Sequence, residues 1–385
     1  MRHHNSVFHH VLQFVPWARF EQAVDAHASD RRVRRLTTKS QFIALLYAQL
    51  SGAQSLREIV EAMASHSQRL YHLGATAPAR STLADANANR PAQLFADMFA
   101  VLATCASPGL RRATREAIHL IDASSIRLTE MSRAWADYEA HGASVKLHLD
   151  FDAGEAVPAH FAITPARVND VTMAHGLPIE PGATYVFDLG YYDFSWWAKL
   201  NEAGCRIVTR LKTHTRPRVL QTRAVAEGGR VRSDRIVAID GRLKSHRGAH
   251  HPLAGIPLRE VVIAIDAHRT LRLISNDLHA PAEHIGELYK VRWQIELFFR
   301  WVKQNLKIKR FLGTSENAVR AQIAVALIAY LILKMAHAAT RCSASLLTFS
   351  RLVRANLMHR RPINRIADPP PTDRRDHRQI QLDLS

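Results

Sequence analysis

Residues 185–211, YVFDLGYYDFSWWAKLNEAGCRIVTRL, contain two short apolar runs separated by a helical segment. The first run, Tyr185 to Phe187, ends at Asp188, and the second covers Arg206 to Leu211. Between them, Phe194 to Glu202 has the composition of a helix. Short strands that alternate with a helix are typical of a mixed α/β sheet. The stretch therefore predicts the centre of an α/β domain.

The residues before this stretch extend the same pattern towards the N-terminus. Ile118 to Ile121 is a short β-prone run that is expected to end at Asp122. Val145 to Phe151 alternates polar and apolar residues, which is the period of a half-buried strand, and His160 to Ile163 is expected to pair with it. Together these runs predict a mixed sheet with flanking helices.

Composition divides the chain into five predicted segments. Residues 1–115 are expected to form an all-helical N-terminal domain that binds DNA, followed by the first part of the α/β domain at 116–212. Residues 213–270 contain eleven Lys or Arg and no Phe, Tyr or Trp, and are predicted to be a β-rich insertion. The second part of the α/β domain covers 271–345. A C-terminal helix and a tail, expected to be disordered from about Arg360, complete the chain at 346–385.

The N-terminal segment contains a candidate helix-turn-helix. A basic cluster between residues 31 and 39 precedes the apolar stretch Phe42 to Leu50, which ends at Ser51-Gly52. Ser55 with Glu58 three positions later forms a capping box that opens a second helix. This arrangement is compatible with a DNA-binding helix-turn-helix and equally with any helical hairpin.

The charge of the chain indicates a polyanionic partner. It has 52 Lys and Arg against 34 Asp and Glu in 385 residues, a formal net charge of +18. Nucleic acid fits this excess better than an acidic membrane surface. The longest apolar run, Ile323 to Leu333, is shorter than the ~20 residues of a membrane span and predicts a core helix. Three isolated cysteines indicate a reducing cytoplasm. The sequence contains no Gly-rich phosphate loop, so a nucleotide cofactor is not expected.

Tyr289, Arg292, Glu296 and Lys303 fall on one stripe of a predicted single amphipathic helix. At ~100° per residue, their spacing returns each of them to within roughly 60° of one direction. Apolar residues occupy the adjoining arc, as expected of a face that packs on a core. A solvated helix in which Arg292 pairs with Glu296 would show the same spacing.

Three carboxylates lie on separate predicted elements. Asp122 and Asp188 each follow a strand, where a turn or capping role is also open, and Glu296 lies on the helix. Clustered acids raise one another's pKa values unless a cation is present, and hard oxygen ligands suit Mg²⁺ or Mn²⁺. Two such ions would support attack on phosphorus. Four further aspartates are rival candidates: Asp150, Asp152, Asp170 and Asp193.

The string Tyr289-x2-Arg292-x3-Glu296-x6-Lys303 resembles the YREK signature of bacterial DDE insertion-sequence transposases of the large family numbered four. HLIDAS around Asp122 resembles the first acidic motif of that family, and YVFDLGYYDF, beginning at residue 185, resembles the second. RFLGTSENAV, beginning at residue 310, resembles the helix that follows the signature. The resemblance covers roughly residues 115–340.

This resemblance implies a ribonuclease-H-like catalytic domain in which Asp122, Asp188 and Glu296 bind divalent metal ions. It implies cleavage at the terminal inverted repeats of a mobile element, transfer of the freed 3′-hydroxyl to target DNA, and a dimer or higher multimer on double-stranded DNA. Tyr289, Arg292 and Lys303 would hold phosphates. The alternatives are a related nuclease that cuts without joining and a non-catalytic DNA-binding protein, either a regulator or a decayed transposase.

Some relatives flip a base onto a tryptophan in the β-rich insertion. That tryptophan has no counterpart here, since residues 213–270 contain no Phe, Tyr or Trp. Trp293 and Trp196-Trp197 are candidates for stacking, although packing is the expected role of each. Lys146 and His148 lie on the same side of one predicted strand, where they would contact DNA or form its solvated face.

Overall fold

A ten-stranded mixed sheet forms the centre of the computed structural model, which describes residues 5–106, 117–139, 142–239, 251–306, 308 and 311–368. The strands are β1 (Ile118–Arg127), β2 (Asp137–Glu139), β3 (Gly142–Asp152), β4 (Val157–Pro165), β5 (Thr184–Phe187), β6 (Arg206–Arg210), β7 (Arg218–Arg223), β8 (Val231–Ala238), β9 (Pro257–Ala264) and β10 (Thr270–Ser275). Their order is β2-β3-β1-β5-β6-β10-β9-β8-β7, and β4 pairs with β3.

The strand directions identify the fold. β3 runs antiparallel to both β4 and β1, whereas β1, β5 and β6 run parallel. Three antiparallel strands followed by two parallel strands form the ribonuclease-H-like order, so the predicted α/β fold class is confirmed. Each parallel connection needs a crossover, and the helix α9 (Phe194–Glu202) supplies the one between β5 and β6, as the sequence predicted.

The strands from the predicted insertion extend this sheet and do not form a sheet of their own. β10 pairs with β6 on one side and with β9 on the other, and β8 and β7 follow outwards. The β-prone pieces Arg235 to Ile239 and Glu260 to Ile265 lie largely within β8 and β9. The return strand Leu271 to Ser275 falls in β10, where it joins the two parts of the sheet.

Helices cover the first hundred residues and the end of the described chain. The N-terminal helices are α1 (Val7–Leu12), α2 (Trp17–Ala26), α3 (Thr38–Ser51), α4 (Leu56–Ser65), α5 (Ser67–Leu70), α6 (Arg80–Asn89) and α7 (Gln93–Ala106). The others are α8 (Asp170–Ala174), α10 (Ala282–Val291), α11 (Trp293–Asn305), α12 (Glu316–Thr340) and α13 (Leu346–Asn356). The candidate hairpin is thus α3 and α4, with Gly52 left-handed (φ 82°) at the end of α3 and Ser55 capping α4.

Helix α12 is the core of the helical layer. By length and composition alone it could cross a membrane, but 67% of its most apolar window is buried inside the protein. It packs against α3, α6 and α7 on one side and reaches β4 and α11 on another. The apolar run Ile323 to Leu333 is therefore a core helix, as predicted from its short length.

The tail is ordered further than predicted. Disorder was expected from about Arg360, but Arg360 forms a β-bridge with Ser6, and Ile366 is buried in the core. These contacts join the end of the described chain to its beginning, so residues 360–368 belong to the fold. The Pro-rich segment Pro369-Pro370-Pro371 and the residues after it lie outside the described residues.

Candidate active site

Asp122 lies in the middle of β1 and not at its end, contrary to the sequence prediction. The parallel pairing of β1 with β5 stops at Ile121, opposite Phe187, but the antiparallel pairing with β3 continues to Arg127. The strand is longer than its apolar run because β3 supplies backbone partners beyond it. Asp122 is therefore the first residue beyond the end of the parallel ladder, which is the edge where a cleft forms in α/β sheets.

Asp188 follows the last residue of β5, as predicted. Its Oδ1 accepts a hydrogen bond from the backbone N–H of Gly190 (2.8 Å), so the carboxylate caps a single 3-10 turn over Leu189–Tyr191. The neighbouring strand β6 contributes Thr209, whose hydroxyl donates to the Asp188 carbonyl (3.4 Å). The capping role left open from the sequence is thus present, and it fixes one carboxylate oxygen at the strand end.

The signature residues lie on two helices and not on one. Helix α10 ends at Val291 and α11 begins at Trp293, because the N–H of Arg292 bonds to the carbonyl of Tyr289 (3.2 Å) and that of Ile295 to Arg292 (3.2 Å). These i to i−3 bonds interrupt the α-helical ladder. Arg292 keeps helical angles (φ −50°, ψ −29°), so the chain direction continues nearly unchanged.

Glu296 is brought to the acidic edge by the packing of α11. The buried side of this helix carries Ile295, Phe298, Phe299 and Val302, and the Phe298 ring lies 5.0 Å from that of Phe151 on β3. Glu296, one position after Ile295, remains partly exposed at the border of that face. The sequence prediction of a core-facing side with charges beside it is confirmed for α11.

Arg292 connects two of the three acids. Its Nη2 donates to Glu296 Oε1 (2.5 Å), and its Nη1 lies 3.9 Å from Asp122 Oδ2. The pKa of Asp122 is raised to about 6, chiefly by burial and also by the Asp188 and Glu296 carboxylates, whereas the Ala123 N–H and Arg292 oppose the rise. Asp122 therefore lies within electrostatic range of both other acids, and Arg292 contacts two of the three, Asp122 and Glu296.

Tyr289 and Lys303 border this centre but both are engaged with the protein. Tyr289 is 9% exposed, and the Arg292 guanidinium carbon lies 5.6 Å from the centroid of its ring. Lys303 Nζ donates to Ser124 Oγ (2.7 Å) and to the Ser125 carbonyl (2.9 Å), two and three residues after Asp122. Lys303 therefore ties α11 to β1 in this structure.

All four rival aspartates have partners within the protein, and those of Asp150, Asp152 and Asp193 have ordinary structural roles. Asp150 is buried and its Oδ1 lies 2.7 Å from His119 Nδ1, Asp152 accepts from backbone N–H groups in the turn after β3, and Asp193 caps α9 by accepting from Trp196. Asp150 and His119 form a buried ion pair, in which loss of either partner would leave an uncompensated buried charge. These three aspartates are accounted for without a ligand.

The fourth rival, Asp170, lies beside the acidic centre. Its Oδ1 accepts a hydrogen bond from Lys146 Nζ (3.0 Å) and lies 4.0 Å from His148 Nδ1. Lys146 and His148 were predicted either to contact DNA or to face solvent, and both predictions are wrong for His148, which is 2% exposed. The pairing of β3 with β4 buries its ring, which meets Thr164 of β4 (2.8 Å).

The tryptophans divide between packing and exposure. Trp196 and Trp197 are each 1% exposed and pack around Phe187, so their predicted packing role is confirmed. Trp293, the first residue of α11, is 51% exposed, so the expectation that it packs is wrong. The Arg300 guanidinium carbon lies 5.8 Å from the centroid of the Trp293 ring.

The donor set of the centre fits a hard divalent cation. Asp122, Asp188 and Glu296 offer only carboxylate oxygens, and their repulsion contributes to the raised pKa of Asp122. Within the described residues, no three His, Cys, Asp or Glu side chains are close enough to ligate a single ion as they stand. Arg292 supplies the positive charge in the present arrangement.

Comparison with known proteins agrees with this geometry. Residues 114–332 match the family model described as the transposase DDE domain. The chain belongs to this family. Residues 3–76 match a second model, described as a domain of unknown function (DUF4372). The resemblance seen in the acidic motifs and the YREK signature is therefore confirmed.

The relatives of this DDE transposase are named as transposases. It is 40% identical over 77% of its length to 82% of a putative transposase from Sinorhizobium fredii. It is 27% identical over 65% of its length to 65% of a probable transposase for insertion sequence element IS5377 from Geobacillus stearothermophilus. A solved piggyBac transposase synaptic complex with hairpin DNA matches with a TM-score of 0.49 and 13% identity, covering 94% of this chain and 82% of that one.

The family fixes the class of activity. The chain is a transposase of the insertion-sequence type, an enzyme that cleaves and transfers DNA strands, and its DDE domain implies dependence on divalent metal ions. The sequence comparisons leave open which residues carry out the reaction. That assignment depends on the geometry of Asp122, Asp188, Glu296 and Arg292.

Proposed function

We propose that Asp122, Asp188 and Glu296 are the catalytic acids of this transposase and that they bind two Mg²⁺ or Mn²⁺ ions. The observation that supports this proposal is the position of Asp122 on β1, which lies within electrostatic range of Asp188 at the end of β5 and of Glu296 on α11, while Arg292 contacts both Asp122 and Glu296. Such a cluster is costly without a cation. Bound ions would activate the attacking water or hydroxyl and stabilise the leaving oxygen.

The surrounding side chains would hold the DNA strand. Arg292 offers a guanidinium that can bind a phosphate through two donors once its carboxylate partners are neutralised, and Lys303 adds a point charge. Tyr289 positions Arg292 through its ring and can donate its hydroxyl. Positioning and charge neutralisation of this kind carry most of the catalysis in phosphoryl transfer.

The proposed reaction has two steps. Water hydrolyses a phosphodiester bond at each terminal inverted repeat and frees a 3′-hydroxyl. This hydroxyl then attacks a phosphodiester of the target DNA, forming a new P–O bond as the 3′-oxygen of the target strand leaves. Because two ends must be cut and joined together, we propose a homodimer or higher multimer on DNA, in the bacterial cytoplasm at the nucleoid. The net charge of +18 favours this polyanionic partner.

Cleavage of repeat-end DNA tests the assignment. With Mg²⁺ present, we expect Asp122→Ala, Asp188→Ala and Glu296→Ala each to lower the cleavage rate by about 100-fold or more, with DNA binding retained. Glu283→Ala, at the exposed start of α10, is the matched control and should cut normally. EDTA should abolish cutting by the wild type. Persistent cutting by any of the three variants would remove that residue from the site.

Strand transfer distinguishes the proposal from its alternatives. Repeat-end DNA that already carries a free 3′-hydroxyl is incubated with a supercoiled target plasmid, and joined products are counted. Joining by the wild type supports the full reaction. Cutting without joining would indicate a nuclease, and repeat binding without either reaction would indicate a non-catalytic DNA-binding protein.

A further inference from the structure

Three neighbouring strands place a row of charged residues at one edge of the sheet. Leu120 of β1 lies beside Val186 of β5, and Val186 lies beside Val208 of β6. These three residues belong to the core on the face that α10 to α13 cover. Because the side chains of a strand alternate between its two faces, the residues two positions later project from that same face. They are Asp122, Asp188 and Arg210.

Arg210 therefore stands in one row with two of the proposed catalytic acids. Neighbouring strands are ~4.8 Å apart, so Arg210 lies one strand away from Asp188 and two strands away from Asp122. The hydroxyl of Thr209 donates to the Asp188 carbonyl (3.4 Å), which joins the end of β6 to the end of β5. On the other side of β6, Arg210 pairs with Leu273 of β10, so the sheet sets the position of its backbone.

The guanidinium of Arg210 is available to a ligand. Its side chain is exposed, and within the described residues it forms no hydrogen bond and no ion pair. Arg292 and Lys303 are instead engaged, the first with two acids and the second with β1. An arginine has five N–H donors and can bind a phosphate through two parallel hydrogen bonds. The side chain of Arg210 thus suits an anion beside the acidic centre.

The order of charges along this edge favours a polyanion over a small anion. Lys303 contacts β1 through Ser124 Oγ (2.7 Å), Arg210 lies on β6, and Asp188 at the end of β5 stands between them. A small anion would be held by one of these cations only, whereas a nucleic acid strand carries a charge at each phosphate and can reach both. The arrangement therefore fits a DNA strand that crosses β1, β5 and β6 over the proposed catalytic acids.

We propose that Arg210 binds a second phosphate of the strand that is cut, on the side of the scissile phosphate opposite Lys303. The guanidinium holds this phosphate through two donors and makes no bond to the reacting atoms, so Arg210 positions the strand over the acids. It lies outside the signature formed by Tyr289, Arg292, Glu296 and Lys303. The inference rests on the proposed function, because the acids define which phosphate is cut.

Repeat-end DNA that carries single neutral phosphates tests this contact. A methylphosphonate replaces one phosphate at a time around the cleavage point, and the enzyme concentration that gives the half-maximal single-turnover rate is measured with Mg²⁺. For the wild type, we expect this concentration to rise about tenfold when a phosphate held by an arginine is neutral. For Arg210→Ala, it should be raised about tenfold on unmodified DNA, and the methylphosphonate at one position should cause no further rise.

Two other variants control for charge and for folding. Arg210→Lys keeps the charge but not the two-donor fork, so its half-maximal concentration should lie between those of the wild type and Arg210→Ala. Arg351→Ala, exposed on α13, removes the same charge elsewhere and should keep the methylphosphonate profile of the wild type. If Arg210→Ala does not fold, the profile of Arg210→Lys decides, because the penalty at the same single position should be reduced.

The outcomes separate this contact from the proposed function. A methylphosphonate profile of Arg210→Ala identical to that of the wild type, with cutting still lost in Asp122→Ala, would overturn the contact and leave the catalytic assignment standing. A slower maximal rate with an unchanged profile would show that Arg210 acts on the acids and not on a phosphate, and would also overturn it. No cutting of unmodified DNA by the wild type would contradict the proposed function and the contact that rests on it.

Discussion

Asp122 is the acid of the acidic centre whose pKa is raised by burial and by the neighbouring carboxylates. Its side chain is 19% exposed, and its pKa is raised to about 6 from the ordinary value of 3.8. An acid whose folded pKa is raised favours the folded state only while it is protonated. Its ionisation therefore reduces stability as the pH rises from about 4 to about 6, and the reduction persists above that range.

Replacement of Asp122 should reveal this cost. Asp122→Asn is expected to increase the free energy of unfolding by about 1–3 kcal/mol at pH 7 in EDTA, with the difference vanishing below about pH 4. Urea unfolding of both proteins between pH 4 and pH 8 measures it. A variant that is less stable than the wild type at pH 7 would contradict the repulsion. Saturating Mn²⁺ should reverse the order, because the cation stabilises only the wild type.

Arg292 has two roles that a salt titration can separate. Without DNA it pairs with Glu296, and with DNA it is proposed to hold a phosphate. Arg292→Ala should weaken cleavage and lower the slope of log K against log salt for DNA binding by about one counterion. Arg351→Ala, exposed on α13, removes the same charge elsewhere. Equal slopes for Arg292→Ala and wild type would leave Arg292 with only its intramolecular role.

At the scale of elements, the buried pair of His119 and Asp150 joins β1 to β3. The ring of His119 lies between Asp150 Oδ1 (2.7 Å) and Glu180 Oε2 (3.0 Å) and stacks on Tyr185 of β5. Burial alone would lower the pKa of His119, but these two carboxylates raise it to about 9. The charged imidazolium therefore crosslinks three neighbouring elements.

This crosslink predicts a loss of stability at alkaline pH. Because the folded pKa of His119 exceeds the unfolded value of about 6.5, its contribution is complete below pH 6.5 and is lost as the pH rises through about 9. The free energy of unfolding should fall by at most about 3 kcal/mol over that range. His119→Gln should show a flatter profile in the same urea titration. Parallel profiles for the two proteins would exclude the charged crosslink.

Strands and helices could be predicted from the sequence where residues close together in the chain determine them. The strand Tyr185 to Phe187 and the helix Phe194 to Glu202 follow from apolar period and an Asp193 cap, both encoded within a few residues. The continuation of β1 past Asp122 depends on its register with β3, and the interruption at Arg292 lies in backbone hydrogen bonds from residue i to residue i−3. Neither the register nor those backbone bonds can be recognised in a local pattern.

The same contrast holds for the candidate site. Asp122, Asp188 and Glu296 could be proposed from the sequence, because the first two follow apolar runs and the third lies on a helix beside an apolar face. The place of Asp170 could not be predicted, since it depends on its hydrogen bond to Lys146 of β3. An Asp at the first position of a short helix is ordinarily read as a favourable charge at a helix start.

At the scale of the whole molecule, the two faces of the sheet bury separate clusters. One face packs against the N-terminal helices together with α10 to α13, and its cluster runs from Val7 to Ile366. The other face is covered by α9, where Trp196 and Leu200 are buried with strand residues such as Ile121. The N-terminal helices thus share a core with the catalytic sheet through α12.

This shared core predicts that the helical segment and the catalytic segment unfold together. Ile328 is fully buried on α12, so Ile328→Ala should lower the free energy of unfolding by about 2–5 kcal/mol. Leu200→Ala makes a comparable cavity on the opposite face. If the core is one cooperative unit, calorimetry should show a single transition for wild type and both variants, displaced to lower Tm in each variant. Two transitions, of which Ile328→Ala shifts only one, would instead show that residues 1–115 fold as an independent domain.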